Sequence, residues 1–220
     1  MEHSDSCRDW FFSRAIAESI KTMAWRYAMK APPYAASLSK NEAVVLFEAE
    51  IEEVVASAGA TADRLDFSEG PIVPITTSMN ATRELNWQER KECYLEDRVK
   101  DQRQWYSKKA EMNRDKSKTR SNLVLLLQGA AIALVVFAAI AGISDFSGFV
   151  LTLTASLLAW IQMQQHSSLS ISYGSAAKEL ALIEGKFENV QSEEAFVALV
   201  DQAELAMSRE HTLWVSRNAL

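Results

Sequence analysis

LVLLLQGAAIALVVFAAIAGI (Leu123–Ile143) and FVLTLTASLLAWIQM (Phe149–Met163) stand back to back, parted by the polar break Ser144-Asp145-Phe146-Ser147-Gly148. The first run carries no charge over 21 residues. At 1.5 Å per residue it reaches about 31 Å, the thickness of a bilayer's hydrocarbon core. The second run is nominally short, but the uncharged Gln, Ser and His that follow would extend it to about Ile171. Lipid offers the backbone no hydrogen-bond partners, so only helices or closed barrels cross it. Two consecutive runs of this length predict a transmembrane helical hairpin. A buried hairpin in a soluble protein fits poorly, because a soluble core helix rarely lacks a polar face over about six turns.

Charge sets the expected topology. Lys108, Lys109, Arg114, Lys116, Lys118 and Arg120 precede the first run with only Glu111 and Asp115 among them, whereas the break carries only Asp145. The positive-inside rule then keeps both termini cytoplasmic and the turn outside. The N-terminus, MEHSDSCRDW, lacks a charged-then-apolar export signal. Mean hydropathy is −0.10, so the membrane part is a minority of the 220 residues. The net charge of −6 gives no reason to expect a nucleic-acid partner. Cys7 and Cys93 are isolated and expected to be reduced, which excludes a disulfide framework and a CxxC metal site.

The flanks read as helix throughout. Phe12, Ile16, Ile20, Met23 and Tyr27 recur at helical spacing until Pro32-Pro33 stops the run. Ser39 with Glu42 forms a capping box for a second helix to about Ala58, with Val44, Val45, Phe47, Ile51, Val54 and Val55 as its apolar set. Residues 59–80, with two glycines and Pro71 and Pro74, form the irregular connector. From about residue 83 a continuous rod is predicted to run to residue 142. After the second span, Ala176, Leu180, Ile183, Phe187 and Val190 make one stripe. Ser192 then caps a last helix that faces inward with Phe196, Leu199, Val200, Ala203, Met207 and Trp214. The expected class is an all-α membrane protein, a two-helix hairpin with a cytosolic helical bundle. Its divisions are 1–81, an N-terminal helical region; 82–121, a juxtamembrane helix; 122–165, the hairpin, with spans at about 123–143 and 149–165; and 166–220, C-terminal helices.

Two sets of residues stand out. Tyr94, Arg98, Gln102, Trp105, Lys109 and Asn113 follow at steps of three or four and share one polar, aromatic helix face. Between Lys178 and Arg217 there are eight acidic residues to four basic ones. The face therefore reads first as a seam against the C-terminal helix, with Arg98 pairing with an acid. As a second reading it is a site for an anionic nucleotide. In the spans, Gln128, Ala131, Val135, Ala138 and Gly142 fall on one side of the first helix. Gly148, Thr152, Ala155, Ser156, Ala159, Met163 and His166 fall on one side of the second. Small, weakly polar faces let helices pack closely in lipid. Once hairpins assemble, Gln128, Thr152 and Ser156 are candidates to line a pore, and one hairpin alone encloses none. No Asp, Glu, Lys, Arg or His lies within either span, which argues against a proton relay or voltage sensor. His3, His166 and His211 lack ligand spacing, and the phosphate-loop, dinucleotide and nucleophile-elbow motifs are absent, so neither a metal, a cofactor nor catalysis is expected. His166 reads as an interface residue rather than a pH sensor.

The order WRYAMKAPPY, then YLEDRVKDQRQWYSKKAEMNR before a two-span hairpin, then EHTLW, resembles the SLATT family, the SMODS- and SLOG-associating two-transmembrane effector proteins. The resemblance rests most on Tyr94, Arg98, Gln102, Trp105, Tyr106, Lys109 and Asn113, with Trp25, Arg26 and Tyr27 as a second block and Trp214 in the last. It implies a homo-oligomeric effector in the bacterial inner membrane that forms a pore or disrupts the membrane during anti-phage defence. Growth arrest or cell death on infection would follow. It further implies control by a nucleotide second messenger or a separate sensor protein. The competing expectation is a membrane-anchored helical scaffold that binds a partner protein without conducting.

Overall fold

The capping box expected at Ser39 is formed. The Glu42 amide donates to Ser39 Oγ at 3.3 Å and the Ser39 amide to Glu42 Oε2 at 2.8 Å, opening a helix over Lys40–Ser57. The computed structural model describes residues 2–57, 74–142, 147–163 and 165–218. In chain order they form α1 (Glu2–Met29), α2 (Lys40–Ser57), α3 (Thr77–Glu84), α4 (Trp87–Tyr94), a π-helical turn (Leu95–Lys100), α5 (Asp101–Ala141), α6 (Ser147–Met163), α7 (His166–Phe187) and α8 (Glu193–Asn218). No strand occurs among the described residues. The described chain is all-helical.

The expected rod starts differently. Thr76 caps α3 through the Met79 amide at 3.2 Å, so a helix begins before Thr82. It ends at Leu85, and Asn86 opens α4 with a full capping box to Glu89. An Asn side chain that takes the N3 amide competes with helix continuation, and here it wins. From Trp87 to Ala141 the helix is continuous for 55 residues, with the π-turn inside it. Most of the connector expected over residues 59–80, and most of the turn expected at Ser144–Gly148, lie outside the described residues. The extension of the second span to Ile171 is not made. Gln165 adopts φ 43°, a left-handed conformation that ends helical continuity, and α7 restarts at His166.

The described chain divides into two compact units, one of Met1–Arg103 with Ala176–Leu220, the other of Gln104–Ser175. In the first, α1 packs on α2, α3, α4 and α8. Met23, Tyr27, Tyr34, Ala43, Phe47 and Ile75 form one buried cluster. Ile16 is buried too, whereas Val45, expected inside, is 65% exposed: it lies two residues, about 200° of helix, from the buried Phe47. Ala176, Leu180, Ile183 and Phe187 of α7 are buried, with Phe196, Val200, Ala203 and Met207 of α8, as their spacing predicts. Ser192 caps α8 through the Ala195 amide at 3.2 Å.

α1 ends in a Schellman motif. The Ala31 amide donates to the Arg26 carbonyl at 2.9 Å and the Lys30 amide to that of Tyr27 at 3.2 Å. Lys30 takes the left-handed position, φ 55°, where glycine is the usual occupant. Two arginines finish the helix end. Arg83 donates through Nη1 to the carbonyls of Tyr27 (2.6 Å) and Tyr34 (3.1 Å), and Arg90 through Nη1 to that of Met29 (2.6 Å).

In the second unit the apolar helix is bare. Leu126, Val136, Phe137 and Ile140 are exposed, and only 11% of the most hydrophobic 18-residue window is buried. A water-facing stretch of this kind is an interaction surface by default, and its length and lack of charge suit lipid.

Candidate functional site

The π-turn lies within the polar face expected on the rod and shapes its first part. Steps of four residues drift by about 40° each on a regular α-helix. Tyr94, Arg98, Gln102 and Tyr106 are nevertheless all buried at that spacing, with the wider turn at Leu95–Lys100 absorbing the drift. Its upper part, through Gln102, belongs to the first unit, and Trp105, Tyr106, Lys109 and Asn113 to the second.

In the first unit the face meets one acid. Arg98 is 2% exposed and Glu204 of α8 is 0% exposed. They pair in a fork, Nε to Oε1 at 2.9 Å and Nη2 to Oε2 at 2.8 Å. Tyr94 Oη donates to Oε1 at 2.9 Å and Thr22 Oγ1 to Oε2 at 2.9 Å, so Glu204 receives four hydrogen bonds. A carboxylate has about four lone-pair sites, and all are used. Burial pulls the Arg98 guanidinium down, but the hydrogen bonds and charge of Glu204 outweigh it and hold it above its ordinary value. Burial, then the Glu204 charge, pushes the Tyr94 phenol well above 10.

The expected pairing of Arg98 with an acid of the C-terminal helix is therefore present. Trp25 of the second motif block stands edge-on to Tyr94, ring centroids 5.6 Å apart. Arg26 pairs with Asp201 at 2.7 Å, and Tyr27 Oη donates to Asn80 Oδ1 at 2.9 Å. Trp214 falls on α8, but its side chain is outside the described residues. Sequence reasoning missed Arg83, Arg90, Glu204 and Thr22. Arg90 had a signal: it sits four residues before Tyr94 and continues the same stripe backwards. It is buried, and its Nη2 pairs with Glu193.

In the second unit Trp105 packs edge-on against Tyr106 and Tyr173, centroids 5.2 and 5.6 Å away, with Lys109 Nζ 5.5 Å from the Trp105 ring centre. Asn113 Nδ2 donates to the Lys109 carbonyl at 2.8 Å, which turns its Oδ1 toward His166 Nδ1 at 2.7 Å. An amide oxygen only accepts, so the neutral ring carries its proton on Nδ1. His166 Nε2 is buried without a hydrogen bond. Burial, then Arg120 and Lys116, holds the imidazole below its ordinary 6.5. A depressed histidine favours the folded state above the unfolded pKa, and that contribution is lost as pH falls through the folded value. Melting of the full chain in nanodiscs should therefore be flat in this respect above about pH 6.5 and fall with acidification below it. His166→Gln should reduce that acid slope; an unchanged slope would remove His166 from the account.

Among the span candidates, Gln128, Ala131 and Ala138 lie on the shielded side of α5, and Gly142 ends it with φ 67°. On α6 the small side is outward: Thr152, Ala155, Ser156 and Ala159 are exposed, while Thr154, Leu157 and Leu158 are partly covered. Thr152 Oγ1 donates to the Gly148 carbonyl at 2.8 Å and Ser156 Oγ to the Thr152 carbonyl at 2.9 Å. Both hydroxyls are satisfied inside their own helix and need neither water nor a partner. No group of His, Cys, Asp and Glu able to hold a metal is present among the described residues.

Among the described residues, all-helical structure, one helix long and apolar enough to cross a bilayer and, in the other unit, a helical bundle holding the buried Arg98–Glu204 pair point to a membrane-associated helical protein. Family models give the particular group. Residues 94–214, more than half of the chain, match SMODS and SLOG-associating 2TM effector domain 1, and residues 2–91 match effector domain 3 of the same series. The chain belongs to the SLATT family of two-transmembrane effector domains. No curated protein and no solved structure matches it.

Proposed function

We propose that this chain is a homo-oligomeric effector of a prokaryotic anti-phage defence system, forming a pore or disrupting the inner membrane when activated. In this reading α5 and α6 both cross the bilayer as a hairpin, the turn lies outside, and the termini and the unit around Glu204 are cytoplasmic. The observation that carries it is the outward side of α6: Thr152, Ala155, Ser156 and Ala159, small and internally satisfied, face away from their own chain. Such a side suits close approach of a helix from a second copy. Neither a cofactor nor a catalytic group enters the reading.

Arg98 is consumed by Glu204, so the face from Tyr94 to Gln102 supports assembly rather than capture of a nucleotide. A separate sensor protein is then the simpler activator. Induced expression in bacteria, with phage as trigger, should depolarise the membrane, read with a voltage-sensitive dye. Ser156→Leu should abolish depolarisation and shift the cross-linked ladder toward monomer, because a bulky side chain replaces a small one at the contact. The second reading, an anchored scaffold, draws on the size of the non-membrane unit. It gains if infected cells keep a normal potential and a foreign two-span anchor preserves protection.

A further inference from the structure

Lys30 is held at a cost in two respects. Its backbone takes φ 55°, where a side chain is disfavoured. Its ammonium lies among like charges: burial and Arg90 together hold it below the ordinary lysine range, with Arg83 adding to the effect and only Glu193 opposing it. The Glu193 carboxylate is already engaged by Arg90. Among the described residues Lys30 makes no side-chain hydrogen bond or ion pair. A lysine held against both backbone and charge points to a role beyond packing.

Lys30 lines a cleft of about 300 Å³ together with Lys40, Arg83, Asn80, Glu84 and the apolar Ala36 and Leu38. Arg83 contributes a buried, permanent charge, fixed in place by the two carbonyls it caps. Lys40 is tied to Glu84 at 2.7 Å, which sets its ammonium at the wall. Three cations against one carboxylate leave a net positive cleft with a fixed arginine in its wall.

We propose that this cleft binds a small phosphate-bearing anion, with Lys30 as its principal ligand. A multiply charged phosphate group would neutralise Lys30 and Arg83 together, and Asn80 supplies an uncharged polar contact. The proposal does not depend on pore formation, since it concerns binding alone. Phosphate chemistry of this kind can arrive as a free anion or as a lipid headgroup.

Thermal melting of the full chain in phosphatidylcholine nanodiscs tests it, with pyrophosphate compared against chloride at equal ionic strength. Pyrophosphate should raise the melting temperature by several degrees in the wild type and in the exposed-surface control Lys178→Gln. Lys30→Gly, which relieves the left-handed backbone and so keeps the fold, should melt no lower than wild type without pyrophosphate and lose the shift entirely. Equal melting in pyrophosphate and chloride, or a full shift in Lys30→Gly, overturns the proposal. Phosphatidylglycerol nanodiscs then separate the sources: a Lys30-dependent rise without pyrophosphate identifies a headgroup, and none identifies a free anion.

Discussion

Glu204→Ala is expected to destabilise the unit formed by residues 1–103 and 176–220 by about 3–5 kcal/mol. The carboxylate is the common acceptor for Arg98, Tyr94 and Thr22. Removing it strands a guanidinium that is 2% exposed and already has Nη1 without a partner. An uncompensated buried charge, rather than the lost hydrogen bonds themselves, dominates the cost. Arg98→Met combined with Glu204→Leu removes both charges and should recover much of the loss. Denaturant titration followed by tryptophan fluorescence measures both. A single mutant within about 1 kcal/mol of wild type would show that water reaches the pair, as at surface ion pairs.

Phe47→Ala should cost about 3–5 kcal/mol in the same titration. Its ring is fully buried, with centroids 5.4 Å from Tyr27 and 5.6 Å from Tyr34, so truncation empties the middle of an aromatic trio. Neighbouring rings anchored elsewhere cannot collapse into the space: Tyr27 is held by Asn80, and Tyr34 donates to Glu50. Val45→Ala, two residues away on the exposed side, should change stability by less than about 0.5 kcal/mol. Comparable losses from the two would mean that α2 packs in another rotation.

Local features of this fold are legible in the sequence wherever the controlling interaction is itself local. The Ser39–Glu42 box, the Ser192 cap and the stripe from Ala176 to Phe187 are all set by residues within a few positions of one another. Asn86 with Glu89 carries the same kind of signal and likewise opens a helix, although the helix-forming residues on either side of it favour one unbroken rod. Charge balance between the rod and the last helix announces an acid for Arg98, but which of eight it is depends on tertiary packing. The π-turn leaves no comparable trace, because an added residue in the hydrogen-bond register has no side-chain requirement. Composition alone puts Val45 inside, whereas helix phase relative to the buried Phe47 turns it outward. In α6 the sequence shows a small-residue side but not its direction, which depends on how the chain packs.

Glu204 has a consequence in time as well as in space. Its donors lie 182, 110 and 106 residues earlier in the chain. During synthesis Thr22, Tyr94 and Arg98 are all made before the apolar stretch of α5 and α6, and Glu204 only after it. At about 5–20 residues per second, the ribosome takes seconds to pass from one to the other. The polar cluster is thus completed only once the apolar helices have already been made, so on the membrane-spanning reading proposed above they meet lipid before the bundle that their own sequence interrupts can close.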